Sequence, residues 1–155
     1  MPYSTLCSLA LTLWLQGNVP PAALVNSDCL TAVEKKRLSA EEKIDGRVKS
    51  YRGISERLHV SIEDSAAKQK FDEVTTLLRC WKELLAVSLK DIEANINRKK
   101  KSGALIDYEI QVRKSIVDMD DVRLKAPASQ QSDFEAWFAQ AESAHSRFVD
   151  ILFQR

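Results

Sequence analysis

Only two histidines occur in this 155-residue chain, and each has a glutamate three positions earlier: Glu56 before His59, and Glu142 before His145. On a helix, residues three apart share a face. Two Glu-x-x-His motifs on separate helices make up half of a di-iron or di-manganese carboxylate site. That chemistry also needs both motifs to point inward at one depth, with two more inward carboxylates opposite them. Two of the three cysteines, Cys29 and Cys80, lie beyond the N-terminal apolar run, and Cys80 sits between the cations Arg79 and Lys82. Neighbouring cations favour a thiolate, yet a catalytic cysteine also needs a base beside it. The third group that could do chemistry is the run Arg98, Lys99, Lys100, Lys101. Such a run suits an anion: a lipid headgroup, a nucleic-acid phosphate or a cell-wall polymer. Asp118, Asp120 and Asp121 lack the glycine and glutamate of a calcium loop.

The elements that must position these residues follow from apolar spacing. Ile44, Val48, Tyr51, Leu58 and Ile62 recur at helical steps, with Ser55 filling one slot; Leu30, Val33 and Leu38 extend the pattern backwards. A first helix is expected near 29–64. The stretch 63–70 has no large apolar residue, and the phase slips across it, so a turn is expected near 64–69. Phe71, Val74, Leu78, Trp81, Leu85, Ser88 and Ile92 then define a second helix reaching about residue 100, with the cations of residues 98–101 at its negative end and Gly103 as its left-handed stop. Leu105, Tyr108, Val112, Ile116, Met119 and Val122 mark a third helix. Pro127 ends it, leaving a loop over 126–131. Ser132 with Glu135 reads as a capping box for a fourth helix carrying Phe134, Trp137, Phe138, Ala141, Phe148, Ile151 and Leu152.

The fold class expected is therefore all-α: an antiparallel up-down four-helix bundle with a long first hairpin and a shorter second one. On that geometry Glu56 and His59 flank the core positions, and Glu142 lies at the edge of the face that holds His145. Glu83 and Glu109 fall beside the core phase. The two motifs stand about 25 Å apart along the bundle, and metal pairs are separated by roughly 4 Å. Neither a metal, a cofactor nor an enzyme activity is expected. Cys29 and Cys80, at heights differing by roughly 35 Å, are expected not to bridge within one chain. The run 98–101 reads first as a solvated helix end and second as an anion site.

Residues 1–27 carry no charged side chain, and residues 6–15 form a short apolar run. A ten-residue run of this kind is too short to span a bilayer and matches the central part of a secretory signal peptide, with a cut after Ser27. Residues 28–155 then form one domain without a stable membrane span, periplasmic or secreted. The alternative is a cytoplasmic coiled-coil protein. The +1 net charge, from 23 basic and 22 acidic residues, argues against a dedicated nucleic-acid binder. The functional expectation is a non-enzymatic scaffold or chaperone-like module with an unknown protein partner, or self-association; the alternative is a small-ligand or metal-binding bundle. The unequal hairpins leave an overhang bearing Leu58, Ile62, Phe71, Val74 and Leu78 as the partner surface. Phe153 is a further exposed apolar candidate.

Overall fold

The computed structural model describes residues 25–153, all helix and connection with no strand among them. A short 3-10 turn at Ser27–Cys29 leads into α1 (Ala32–Ala40), followed by four long helices: α2 (Ile44–Ala67), α3 (Phe71–Asn95), α4 (Gly103–Lys125) and α5 (Gln131–Phe153). Each of α2 and α5 packs against both α3 and α4, and their apolar stripes merge into one core. Trp81 and Trp137 meet at its centre with ring centroids 4.7 Å apart. Two polar pairs are made inside that core: the Trp81 indole donates to Ser55 Oγ at 2.6 Å, and Ser88 and Tyr108 share a hydrogen bond of 3.0 Å; the buried Trp137 indole N–H has no partner among the described residues. Leaving the members of those two pairs without partners would cost about 1–3 kcal/mol each.

The contacts fix the helix directions. Arg47 meets Asp91, Ser55 meets Trp81 and Ser65 meets Glu73, so α2 and α3 run antiparallel. Arg52 with Asp107 and His59 with Ser115 make α2 and α4 parallel neighbours. Arg79 with Asp133 and Glu93 with Arg147 do the same for α3 and α5.

Several sequence expectations change. The first helix is broken: α1 stops at Ala40, residues 41–43 are extended or turn, and α2 starts at Ile44. No proline marks the break. Arg47 holds it, donating to the carbonyls of Glu41 (3.3 Å) and Glu42 (2.8 Å), while the Glu41 side chain folds over Gly46, where a Cβ would collide with it. α1 can therefore turn back along the α2–α3 face. Thr31 and Glu34 build a reciprocal capping box at its start, the motif expected instead at Ser132, which lies inside α5.

That fold-back places Cys29 against Cys80, and the two form a disulfide with Cα atoms 5.3 Å apart. The expected height difference assumed a straight helix from residue 29 onward. Arg57 strengthens the strap, donating to both Glu34 carboxylate oxygens (2.6 and 2.9 Å) and to the Cys29 carbonyl (3.0 Å). Hydrogen bonds from Arg57 and Thr31 outweigh burial and hold the Glu34 carboxyl below its usual range. Val25, Leu30 and Leu38 are buried beneath the strap, and the Asn26 N–H donates to Glu83 at 3.3 Å. The charge-free run falls mostly on residues 1–24, outside the described residues.

The unequal hairpins are also corrected. The four long helices have 24, 25, 23 and 23 residues. Without an overhang, Leu58, Ile62, Val74 and Leu78 are fully buried, and Phe71 packs half-buried against the core. They are core residues rather than a partner surface. α3 ends at Asn95 rather than near 100, which turns residues 98–101 into a linker. Gly103 opens α4 instead of closing α3; Ser102 caps α4 by accepting from the Leu105 N–H (3.1 Å) and donates to Asp45 (2.7 Å).

Candidate functional site

The early end of α3's last turn, the start of α4 and the end of α5 come together at one pole of the molecule. Asp91 anchors it. Its carboxylate accepts two hydrogen bonds from the Arg47 guanidinium (2.7 and 2.9 Å), one from the Tyr51 hydroxyl (2.8 Å) and one from Asn95 (2.8 Å). Burial opposes charge on Asp91, but the bonds from Arg47 and Tyr51 outweigh it and hold the carboxyl below the usual aspartate range. Burial, with the Asp91 charge beside it, pushes the Tyr51 phenol far up, and the bond to Asp91 raises Arg47. The group is a fixed ion pair with a neutral phenol attached. Its effect is to clamp the last turns of α3 to the first turns of α2 just before the chain leaves the core.

Beyond that clamp the linker does not pack down. Between it and the end of α5 opens a cleft of about 760 Å³. Ile96, Leu105, Ile151 and Leu152 form its apolar side, and Phe153, 70% exposed, stands at its edge. Arg98, Lys99, Lys100 and Lys101 form the remaining rim. All four are exposed, and none makes an ion pair among the described residues. The nearest charged pairs of this pole are satisfied elsewhere: Arg147 binds Glu93 at 2.7 Å and lies 3.8 Å from Asp150. The cleft therefore combines an apolar wall with uncompensated positive charge. Comparison with protein-family models, curated proteins and solved structures returns no match to this chain.

The four residues of the Glu-x-x-His motifs are not brought to one point. Glu56 is exposed and pairs with Arg52 at 3.4 Å; Glu142 is exposed in the groove between α4 and α5. His59 lies at the α2–α4 seam, its ring stacked 5.5 Å from Trp81. His145 Nδ1 lies 3.0 Å from Glu109 Oε1 without hydrogen-bond geometry, and the same oxygen accepts from Arg113 at 3.2 Å. Glu109 is thus buried, not beside the core as its phase suggested. The two histidines also lie closer in depth than the sequence spacing predicts. His59 faces Ser115 and His145 faces Glu109; those two are six residues apart on α4, so the histidines differ in depth by roughly 9 Å, not 25 Å. Helices of equal length remove the expected offset. No cluster of three metal-ligating side chains occurs among the described residues.

The structure does gather one constellation the sequence concealed. Ser115 Oγ lies 3.2 Å from His59 Nδ1, and His59 Nε2 lies 3.4 Å from Glu63 and 3.7 Å from Asp118. Serine, imidazole and carboxylate in a row resemble a nucleophile and its base. The wiring is different. Ser115 donates to the Gln111 carbonyl at 2.8 Å and is buried within α4. Backbone N–H groups around it are bonded within the helix and cannot stabilise an oxyanion. These residues tie α2 to α4 beside a shallow groove of about 430 Å³ that His59 and Ser115 line.

Of the sequence-based candidates, residues 98–101 and Phe153 meet at the cleft. What spacing missed is its wall: Leu105, Ile151 and Leu152 looked like ordinary core periodicity, Ile96 fell outside the pattern, and only the end of α3 at Asn95 brings the cavity beside them.

Proposed function

We propose that this protein is an exported, disulfide-locked four-helix bundle that works by binding rather than by catalysis, with the basic-rimmed cleft as its binding end. The observation that carries this reading is the cleft itself. A concave apolar wall next to four cations that pair with no described carboxylate is a recognition surface for something both apolar and negatively charged. The histidine groups supply interhelical contacts and not reacting atoms, which agrees with a binding role. The Cys29–Cys80 disulfide supports the compartment, since such bonds persist in oxidising surroundings. It accords with removal of a charge-free signal segment during export. Because Val25 and Asn26 pack on the body, the cut is placed on the N-terminal side of Val25 rather than after Ser27.

A photo-cross-linking residue at position 153, compared with the same residue at position 124, tests the binding end. Leu124 is equally exposed but lies near the opposite pole. Adducts formed at 153 and absent at 124, in the compartment where the protein resides, support the reading. Equal labelling at both positions overturns it. Secretion with the mature N-terminus at or before Val25 and no free thiol in the purified protein supports the compartment; a stable cytoplasmic chain that keeps Met1 and two reduced cysteines rejects it.

A further inference from the structure

We infer that the cleft takes a single-chain anionic amphiphile: one alkyl tail with a carboxylate or phosphate head. The inference rests on the binding reading above and names its ligand.

Three features select this chemistry. First, the cleft's volume of about 760 Å³ lies in the range of small-molecule sites, roughly 300–1,000 Å³. It is a pit at the end of the helices, whereas an amphipathic helix from a protein partner needs a long groove with apolar anchors along it. Second, its polarity is divided. Ile96 and Leu152, both half-buried, and the exposed Phe153 offer the apolar surface on which a tail would replace water, while the buried Leu105 and Ile151 close the floor beneath them. The four cations lie on the linker at the rim, where a head would remain hydrated while accepting charge-assisted hydrogen bonds. Third, the rim charge is uncompensated among the described residues. Elsewhere the described arginines commonly face carboxylates, as Arg47 does Asp91 and Arg57 does Glu34, whereas Arg98, Lys99, Lys100 and Lys101 face none. An anion would bring no competition with an existing ion pair. Phe153 at the edge adds an aromatic surface against which the first methylenes of a tail can lie.

Calorimetric titration of the full oxidised chain tests this with four probes: dodecanoate, dodecanol, inorganic phosphate and vesicles of anionic phospholipid. Dodecanoate is expected to bind saturably, one per chain, and at least about tenfold more tightly than either the tail alone or the anion alone. The variant with Arg98, Lys99, Lys100 and Lys101 all changed to glutamine should weaken dodecanoate about tenfold and leave dodecanol unchanged. Phe153→Ser should weaken both. Leu124→Ser, far from the cleft, should change neither. All the altered residues are exposed, and circular dichroism confirms that the helices remain. Dodecanoate binding no tighter than dodecanol, or unaffected by the glutamine variant, overturns the inference. So does binding to vesicles with none to monomeric dodecanoate, which would make the cations a membrane-surface patch. If the amphiphile fails while position 153 still cross-links selectively, the binding end stands and only its ligand class is wrong.

Discussion

The two poles of this molecule are built from the same four helices and end differently. At one pole, α2 passes into α3 through Lys68, Gln69 and Lys70. The Lys70 N–H bonds back to Ser65 O and the Gln69 N–H to Ala66 O, each at 2.9 Å, and the apolar residues behind this turn are buried. At the other pole, α3 passes into α4 through residues 96–102. That linker carries four adjacent cations and leaves a cleft beside the end of α5. Core periodicity is the same towards both poles. The contrast shows that the length and charge of a connection, more than the helices it joins, decide whether a pole is sealed or open. Four cations close together repel one another and resist being drawn over an apolar wall.

The sharpest way to break the comparison is to put charge into the sealed pole. Val74→Asp buries a carboxylate where there is no exposure at all, and should cost about 5 kcal/mol or prevent folding. Phe153→Asp at the open pole should stay within about 0.5 kcal/mol of wild type. Urea melts measure both. Equal losses at the two positions would show that the cleft is closed in solution.

Next comes the strap. Closing a loop between residues 51 apart restricts the unfolded chain, so Cys29→Ser with Cys80→Ser should lower stability by about 4 kcal/mol. The loss should appear in denaturant melts of the oxidised wild type against the double variant. A difference under about 1 kcal/mol would mean that Arg57 and the buried Leu30 and Leu38 hold the strap without the bond.

The Asp91 clamp sets the frame of the open pole. Removing its charge strands Arg47 in a largely covered position, and Asp91→Asn should cost about 3 kcal/mol at neutral pH. The pH dependence follows from the direction of its shift. A carboxyl held low in the folded state stabilises it fully above the unfolded value, about 3.9, and that contribution disappears as pH falls through the lower folded value. Wild type should therefore lose stability more steeply than Asp91→Asn below about pH 4, narrowing the gap between them. Parallel curves from pH 7 to pH 3 would show that Asp91 is not ionised in the clamp.

Legibility in the sequence followed how local each signal was. The helical stripes from Phe71 to Ile92 and from Leu105 to Val122, and the stop at Pro127, depend on spacing and ring chemistry within a few residues, and they were readable. The break at residues 41–43 depends on Arg47 reaching back to two carbonyls and on Glu41 folding over Gly46, neither of which changes the apolar period. Missing it carried the error into the disulfide and the length of the first helix, while carrying α3 on to about residue 100 instead of ending it at Asn95 produced the supposed overhang and the false depth of the histidines. The cations of residues 98–101 were visible as a possible anion site, but their meaning depended on where α3 stops. Glu109 was hidden because a buried glutamate is tolerated only through His145 and Arg113, partners that arrive from another helix and from the next turn.

The smallest effect concerns the seal itself. Gln69 has φ 58°, the left-handed conformation that closes a helix and that glycine adopts at little cost. Its side chain adds no hydrogen bond to the turn, whose two closing bonds are made by the backbone. Gln69→Gly removes the Cβ penalty in the folded state but gives the unfolded chain more freedom, which works in the opposite direction. The left-handed penalty of roughly 1–2 kcal/mol exceeds the added backbone entropy of about 0.5–1 kcal/mol. The expected outcome is a gain of about 0.5 kcal/mol, visible as a higher urea midpoint with unchanged slope. Gly103→Ala provides the matched comparison at the open pole. Gly103 has no positive φ, nothing obstructs a Cβ there, and it is the first residue of α4. Alanine is the better helix former, so this substitution too should stabilise, by up to about 1 kcal/mol. A loss at position 69 would mean that the glutamine side chain contributes to the turn in solution, and the sealed pole would then owe its closure to more than backbone geometry.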